Sequence, residues 1–457
     1  MQRGGVRPQE RYRAFTRQDL DRIATRFGLD AQRVLEMKAV AAVLPFRTNA
    51  YVLEDLIRWH ELPDDPIFQG TFPQPGMLLP ADLERMMVLV RSGAPQRQIR
   101  AVARTIRQRF QPRGVDAWNR PSGEPEGPRL AGIQQASRDA VLFFPRQARA
   151  CHAYCTYCFY WPRLLGGAEM KRERGDVGTL PNYLAAHREV SQVVLTGGDL
   201  LGNTTVGLRR CLEPLLGPEH EPLISIAITS KAPAYWPQRF LQDRDGDDLL
   251  RLFEEIQGAG KQLVLVAHYT HPRELETKAA QDAVRRISAT GALILGESPV
   301  ARRVNDESAT WAELWRRQVR LGVAPSPMLV EHDTGPQNYL LVPLARACQI
   351  EREAHGQMTG LARAARGPVM RTEPGDVRVV GETRIHGERL FVLEFVRARD
   401  GRWLGRPFFA RWDAKASWFD QLRPAFGDNA FFYEEELRRT RECDLREGRI
   451  ENERLRR

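Results

Sequence analysis

The chain has 457 residues, enough for one large domain with additions, and carries a net charge of +10 from 68 Lys and Arg against 58 Asp and Glu. Three of its six cysteines fall between Cys151 and Cys158, while Cys211, Cys348 and Cys443 stand apart; this excludes a disulfide framework and points to a reducing cytoplasm. The first residues lack the apolar core of a signal peptide, no run approaches the ~18 apolar residues of a membrane span, and basic residues mixed with acidic ones argue against a nucleic-acid partner despite the net charge.

In chain order, residues 12 to 110 read as helical. Apolar side chains recur at three- and four-residue spacing in Asp19–Phe27, Ala31–Val43 and Ala81–Val90. Between them lie proline-rich loops, Leu44–Asn49, Pro63–Gln69 and Thr71–Pro75. The proline- and glycine-rich stretch 111–128 reads as a linker. Six β-rich runs follow, at Val141–Pro145, Gln192–Leu195, Leu223–Thr229, Gln262–His268, Ala292–Gly296 and Ser326–Val330. Helical patterns such as Leu249–Gly258, Lys278–Thr290 and Trp311–Leu321 fill most of the gaps. This alternation predicts an α/β fold of parallel strands joined by right-handed crossovers, with chemistry at the carboxyl ends of the strands. From about Thr383 the chain turns β-rich in Leu390–Val396 and Trp403–Ala410, then helical from Phe431 into an Arg- and Glu-rich tail. The expected organisation is an N-terminal helical region (1–113), an α/β barrel (129–345) and a C-terminal region (346–457).

Directly after the first strand of the barrel the chain reads Cys151-His152-Ala153-Tyr154-Cys155-Thr156-Tyr157-Cys158. Four-iron clusters normally take four thiolates, so a compact loop offering three leaves one iron free for a substrate or cofactor. A zinc site or chance clustering is the alternative, although zinc usually takes four grouped ligands and His152 adjoins Cys151 too closely to close a tetrahedron. The next strand ends in Gly197-Gly198-Asp199. Its glycines allow close approach to backbone, and Asp199 suits an ammonium group. Lys231, after the third strand, suits a carboxylate or is a surface lysine.

C-x3-C-x2-C with Tyr157 before the last cysteine is the signature of the radical S-adenosylmethionine (SAM) superfamily. With it run Leu44-Pro45-Phe46-Arg47-Thr48-Asn49, Asp65-Pro66-Ile67 and Gly197-Gly198-Asp199. Lys231-Ala232-Pro233, Pro237-Gln238-Arg239, His268-Tyr269-Thr270-His271-Pro272-Arg273-Glu274, Val304-Asn305-Asp306 and Glu331-His332-Asp333 continue the series. In this order, over about residues 40 to 375, they resemble the lysine 2,3-aminomutase family of radical SAM enzymes. The resemblance implies a partial (β/α)6 TIM-like barrel with an N-terminal helical region and a small α+β C-terminal region. It implies a 4Fe-4S cluster on Cys151, Cys155 and Cys158 that cleaves SAM to a 5′-deoxyadenosyl radical. It implies SAM contacts from Tyr157, Gly197, Gly198 and Asp199, joined by Lys231, His268 and Glu297, and substrate contacts from Tyr160 and Asp333. The expected partners are a small amino-acid-like substrate, a flavodoxin or ferredoxin as electron donor, and other copies of the chain.

Departures from the family pattern bear on the reaction. The family's aminomutases hold pyridoxal phosphate (PLP) on a lysine in a Pro-Gly-Gly-Gly-Gly-Lys run, and the counterpart here, Pro374-Gly375-Asp376-Val377-Arg378, has none. Arginine stays protonated and cannot replace a lysine amine as the imine-forming nucleophile. Of the family's phosphate-binding arginines before the first strand, only a shifted Arg138 remains. The expectation is a PLP-independent relative abstracting hydrogen from an amino-acid-like substrate. The alternatives are a PLP-dependent amino acid 2,3-aminomutase and radical SAM modification of a peptide or RNA.

Overall fold

The computed structural model describes residues 12–110, 131–148, 150–158, 161, 174–331 and 338–439. The expected linker, 111–128, lies outside the described residues, as do Tyr160, Asp333, Cys443 and the basic tail. Among the described residues no helix is long and apolar enough to cross a membrane.

A short ribbon pairs β1 (Ala14–Thr16) with β2 (Arg47–Asn49), antiparallel. The rest of the strands form one sheet of eleven, in which neighbours in space are also neighbours in sequence. Its strands are β3 (Ile133–Ser137), β4 (Ala140–Phe143), β5 (Gln192–Leu195), β6 (Ser225–Ser230), β7 (Gln262–His268) and β8 (Leu293–Pro299). They continue through β9 (Ala324–Val330), β10 (Val369–Arg371), β11 (Gly375–Ile385), β12 (Glu388–Ala398) and β13 (Pro407–Arg411). From β4 to β10 every adjacent pair is parallel. A helix lies between each consecutive parallel pair: Thr179–Ala186, Thr205–Leu212, Gly246–Gly258, Lys278–Ala289, Ser308–Arg320 and Leu344–Gly356.

The expected strands and helices recur within a few residues of their predicted ends, and the reason is burial. Helices on a parallel sheet hide its strands, so β6 and β7 carry runs such as Ile226-Ala227-Ile228 and Leu263-Val264-Leu265-Val266-Ala267 that read as strands without alternation. Helix starts are capped as their residue types predict. Thr277 accepts from the Ala280 amide and Asp30 from the Arg33 amide.

The small α+β C-terminal region expected from residue 346 is joined to the sheet. β10 adds to β9 in parallel, and β11, β12 and β13 extend the same sheet by antiparallel pairing. Its apolar core includes Trp311 and Trp315 of the helix Ser308–Arg320 together with Phe391, Phe395 and Phe408, so it packs as a continuation of the sheet. At the other side, the helices Ala31–Val43, Pro80–Arg91 and Gln96–Gln108 bury Val40, Met86 and Ile99 in one cluster with Tyr157 and Trp161. The N-terminal region is thereby packed onto the cysteine loop.

Candidate functional site

Strand β4 ends at Phe143, and the cysteine loop leaves its carboxyl end. The loop has no regular structure of its own, so its backbone polar groups need partners elsewhere. The N-terminal motifs supply them. The Tyr154 amide donates to the Arg47 carbonyl at 2.9 Å, and the Thr156 amide to the Gly70 carbonyl at 3.0 Å. The Thr156 hydroxyl donates to the Gln69 carbonyl at 2.7 Å. Arg47 Nη1 donates to the Cys151 carbonyl at 2.9 Å, and the Tyr12 hydroxyl donates to that of His152.

The same motifs are tied to the sheet. Asn49 Nδ2 donates to the Tyr235 carbonyl at 2.8 Å. Asp65, wholly buried, accepts from the Phe68 and Arg58 amides and pairs with Arg273 just beyond β7. Leu44–Asn49 and Asp65–Gly70 are thus a clamp between the cysteine loop and the strand ends. Sequence reading gave them only as proline-rich loops; their signal was collinearity with the family, which names the segments but not what they hold.

The second support is the turn after β5. Gly197 adopts φ +122°, and a Cβ on Gly198 would stand 2.8 Å from the carbonyl oxygens of Ala148 and Ala150. Only glycine lets the turn come this close to the loop. The Asp199 backbone, next in the turn, partly offsets the upward push of burial on the Cys151 thiol. The Asp199 side chain accepts from Ser230 Oγ at 2.8 Å and the Lys231 amide at 2.8 Å, with His152 Nδ1 3.2 Å away. Burial pushes the Asp199 carboxyl up, but adjacent His152 and these donors outweigh it and hold it below the usual carboxylate range.

The three thiols lie within electrostatic reach of one another. Burial, then neighbouring Cys158, Asp199 and Cys155, raise the Cys151 thiol well above its ordinary value. Burial also pushes the Cys155 thiol up, while the Lys231 cation and the Tyr157 hydroxyl pull it back. Cys211 and Cys348 belong to other parts of the core. Among the described residues no three Cys, His, Asp or Glu side chains converge on a single metal ion. Each thiolate of a four-iron cluster binds its own iron, so three thiols spread along one loop suit that group in donor chemistry. A cleft of about 580 Å3 opens beside Cys151 and His152, walled by Tyr12, Arg47 and Trp236.

Lys231, expected at a cofactor carboxylate, is buried and bound to a carboxylate of the protein. Its Nζ lies 2.9 Å from both oxygens of Glu274 and 3.1 Å from Thr270 Oγ1. His268 and Glu297 do come together at the carboxyl ends of β7 and β8, with His268 Nε2 3.3 Å from Glu297 Oε1. Arg371, the last residue of β10, takes both oxygens of Glu297. Burial raises the Glu297 carboxyl, but Arg371 and His268 more than reverse this and hold it at about 2. Glu331, the residue after β9, is pushed up to about 7 by burial, which the Arg371 cation only partly offsets and the Glu297 charge reinforces. Arg371 and Glu331 were missed as site residues: Glu331 stood in the Glu331-His332-Asp333 motif, where only Asp333 was given a role, and nothing in the local sequence marks Arg371; strand ends distant in the chain bring them together.

No protein-family model matches the chain. A protein of Aquifex aeolicus named "Putative L-lysine 2,3-aminomutase" is 27% identical over 388 residues, 84% of this chain and 89% of that one. The L-lysine 2,3-aminomutase of Haemophilus influenzae is 25% identical over 232 residues, 50% of this chain and 64% of that protein. That of Escherichia coli is 28% identical over 203 residues, covering 44% and 56%. Among solved structures, a radical SAM methyltransferase from Sphaerobacter thermophilus aligns over 62% of this chain and 92% of its own at 16% identity, with a TM-score of 0.33, too slight a likeness to argue from. Over most of its length the chain is therefore similar to proteins named as lysine 2,3-aminomutases.

Proposed function

We propose that the protein is a PLP-independent radical SAM enzyme that abstracts hydrogen from a small amino-acid-like substrate. One observation carries the reading: a loop bearing three thiols, Cys151, Cys155 and Cys158, stands at the carboxyl end of a parallel strand and is clamped on both sides. In this reading β4 to β9 form the six-stranded partial (β/α) barrel, with residues 1–113 and 346–457 as flanking regions. The three cysteines hold a 4Fe-4S cluster. When bound, that cluster supplies the electron that cleaves SAM to methionine and a 5′-deoxyadenosyl radical.

The chain's own residues bind and orient. Gly197 and Gly198 bring the turn against the loop, and Tyr157 packs over Gly70, whose Cβ would lie 3.6 Å from the Tyr157 ring. His268 and Glu297 face SAM at the ends of β7 and β8, while Asp333 and Tyr160 are assigned to the substrate. Arg371 and Glu331 add polar recognition on the same side, the setting in which perturbed carboxyl groups gather at functional sites.

PLP independence is supported by where its expected partners stand. Arg378, at the place of the family's lysine, pairs across β11 and β12 with Glu394 at 2.7 Å. Arg138 is exposed in the turn preceding β4, at the end of that strand away from the cysteines. Among the described residues, Lys38 and Lys278 pair with Asp21 and Asp282, Lys261 is bound to the His220 carbonyl, and Lys415 is exposed; Lys171 lies outside them. The protein is read as working in the reducing cytoplasm, as a homo-oligomer, with a flavodoxin or ferredoxin as electron donor.

Anaerobic reconstitution with iron and sulfide, followed by SAM and dithionite, tests the reading. The expected outcome is a brown protein with a low-temperature EPR signal on reduction, and 5′-deoxyadenosine formation that rises with a free amino acid more than with peptides or RNA. A colourless protein without an EPR signal overturns the cluster. A borohydride-trapped PLP adduct on a lysine overturns PLP independence.

A further inference from the structure

Beneath Cys155 lies a chain of buried polar groups that the proposed chemistry leaves unused. The Tyr157 hydroxyl helps to hold down the Cys155 thiol against the upward push of burial and stands 3.2 Å from Thr270 Oγ1. Thr270 Oγ1 donates to Glu274 Oε1 at 2.7 Å and accepts from Lys231 Nζ at 3.1 Å. Lys231 Nζ in turn donates to both Glu274 oxygens and sits 4.3 Å from the centre of the Tyr235 ring. The side chains of Lys231 and Glu274 are 7% and 0% exposed, so neither charge is screened by water. A lone ion pair of this kind is a poor source of stability, because desolvation offsets its attraction. Its position against one particular sulfur needs another explanation.

We infer that Lys231 and Glu274, acting through Thr270 and Tyr157, set the potential at which the cluster held by Cys155 accepts its electron. The inference rests on the proposed cluster. Hydrogen bonds to ligand sulfur and nearby charge are among the main means by which a protein tunes such a potential. The hydrogen bonds fix the direction. The hydroxyl hydrogen of Thr270 is committed to Glu274, so Tyr157 is the donor towards Thr270 Oγ1 and its one hydrogen turns to sulfur when Cys155 is a thiolate. Reduction adds one electron, from a low-potential donor such as reduced flavodoxin or dithionite, to the cluster, and no bond to Cys155 breaks. The Tyr157 hydroxyl and the Lys231 cation favour the reduced, more negative cluster; the Glu274 anion opposes it. Lys231, Glu274 and Thr270 are positioning residues, since they act on the cluster through Tyr157 or by charge at a distance.

The test is an anaerobic redox titration of the reconstituted full chain, read by EPR and visible absorbance at matched iron content. At the wild-type midpoint, Lys231→Met is expected to lower the reduced-to-oxidised ratio roughly tenfold, which for a one-electron couple is about 59 mV. Tyr157→Phe is expected to lower it about threefold, Glu274→Gln to raise it, and Lys231→Arg to restore it to within about twofold. Opposite shifts from the two halves of one ion pair are the signature that loosened packing would not give. Tyr157→Phe keeps the ring and loses only the hydroxyl, so it decides the matter where a charge variant fails to fold. Ratios within twofold of wild type in every folded variant, or shifts of one sign from Lys231→Met and Glu274→Gln, overturn the inference and leave the cluster standing. A wild-type protein that assembles no cluster overturns both.

Discussion

Two ion pairs stand at the carboxyl edge of the same parallel sheet, one beyond β6 and β7 and the other on β8 and β10, and are built to opposite rules. Lys231 and Glu274 are sealed at 7% and 0% exposure, and the residues around them, Thr270 and Tyr235, turn their polar groups inward. Arg371 and Glu297 are 37% and 10% exposed, with His268 and Glu331 beside them. The sealed pair has no group left over for a ligand, and its charges act at a distance. The open pair keeps an accessible cation and a carboxyl that titrates near neutrality, which is what a binding surface requires. Removing a charge from each pair is therefore expected to damage different properties.

The largest effect belongs to the sealed pair. Glu274→Ala leaves Lys231 buried without a counter-charge and the Thr270 amide without its acceptor, and is expected to cost about 3–5 kcal/mol. Denaturant unfolding of the apo protein measures it. Asp65→Ala should rank beside it, since it strips Arg273 of a buried partner and removes the acceptor of the Phe68 and Arg58 amides. A cost below about 1 kcal/mol for either would mean that water already reaches these pairs.

Arg371→Met comes next and shifts the damage from stability to turnover. A charged hydrogen bond is worth about 1.5–3 kcal/mol, so substrate-stimulated 5′-deoxyadenosine formation should fall roughly 10- to 100-fold. Stability should fall by less than half of what Glu274→Ala loses, because Glu297 keeps His268 beside it and is partly exposed. Equal stability losses from the two variants would erase the distinction between a sealed and an open pair.

How much of this could be read from the chain follows from what each part depends on. β5 and β7 carry their full extents in sequence, Gln192–Leu195 and Gln262–His268, because burial between helices makes their apolar runs continuous. The cysteine loop is legible from spacing alone. β11 is not: Gly375–Ile385 holds Asp376, Arg378, Glu382 and Arg384, breaks register around Val379 and Gly381, and overlaps the expected counterpart of a cofactor motif. Its charges are paired across strands, Arg378 with Glu394 and Asp376 with Arg397, and such partners are distant in sequence. Lys231 shows the same limit at the site. A lysine after a strand end suits a ligand carboxylate, and only the fold shows that it is paired with Glu274, 43 residues further along the chain.

The smallest effect is a pH dependence lodged in the open pair. Glu331 titrates at about 7 in the fold against about 4.3 for an unperturbed glutamate, burial being the main cause, Arg371 opposing it and Glu297 adding to it. Between those values the folded chain keeps a proton that the unfolded chain gives up, so folding is weakened as pH rises through the window and the loss is complete above about 7. Glu297, at about 2, has the opposite sign: its contribution is present above about 4.3 and is lost in acid. Allowing for partial solvent access, Glu331 is worth about 1–2 kcal/mol. The difference in Tm between pH 5 and pH 8 should therefore shrink by a few degrees in Glu331→Gln relative to wild type. The variant should gain most at the alkaline end, where the wild-type carboxylate faces Glu297. If both proteins lose the same Tm over that range, Glu331 is already ionised, and the open pair carries one more negative charge at neutral pH than its geometry gives it.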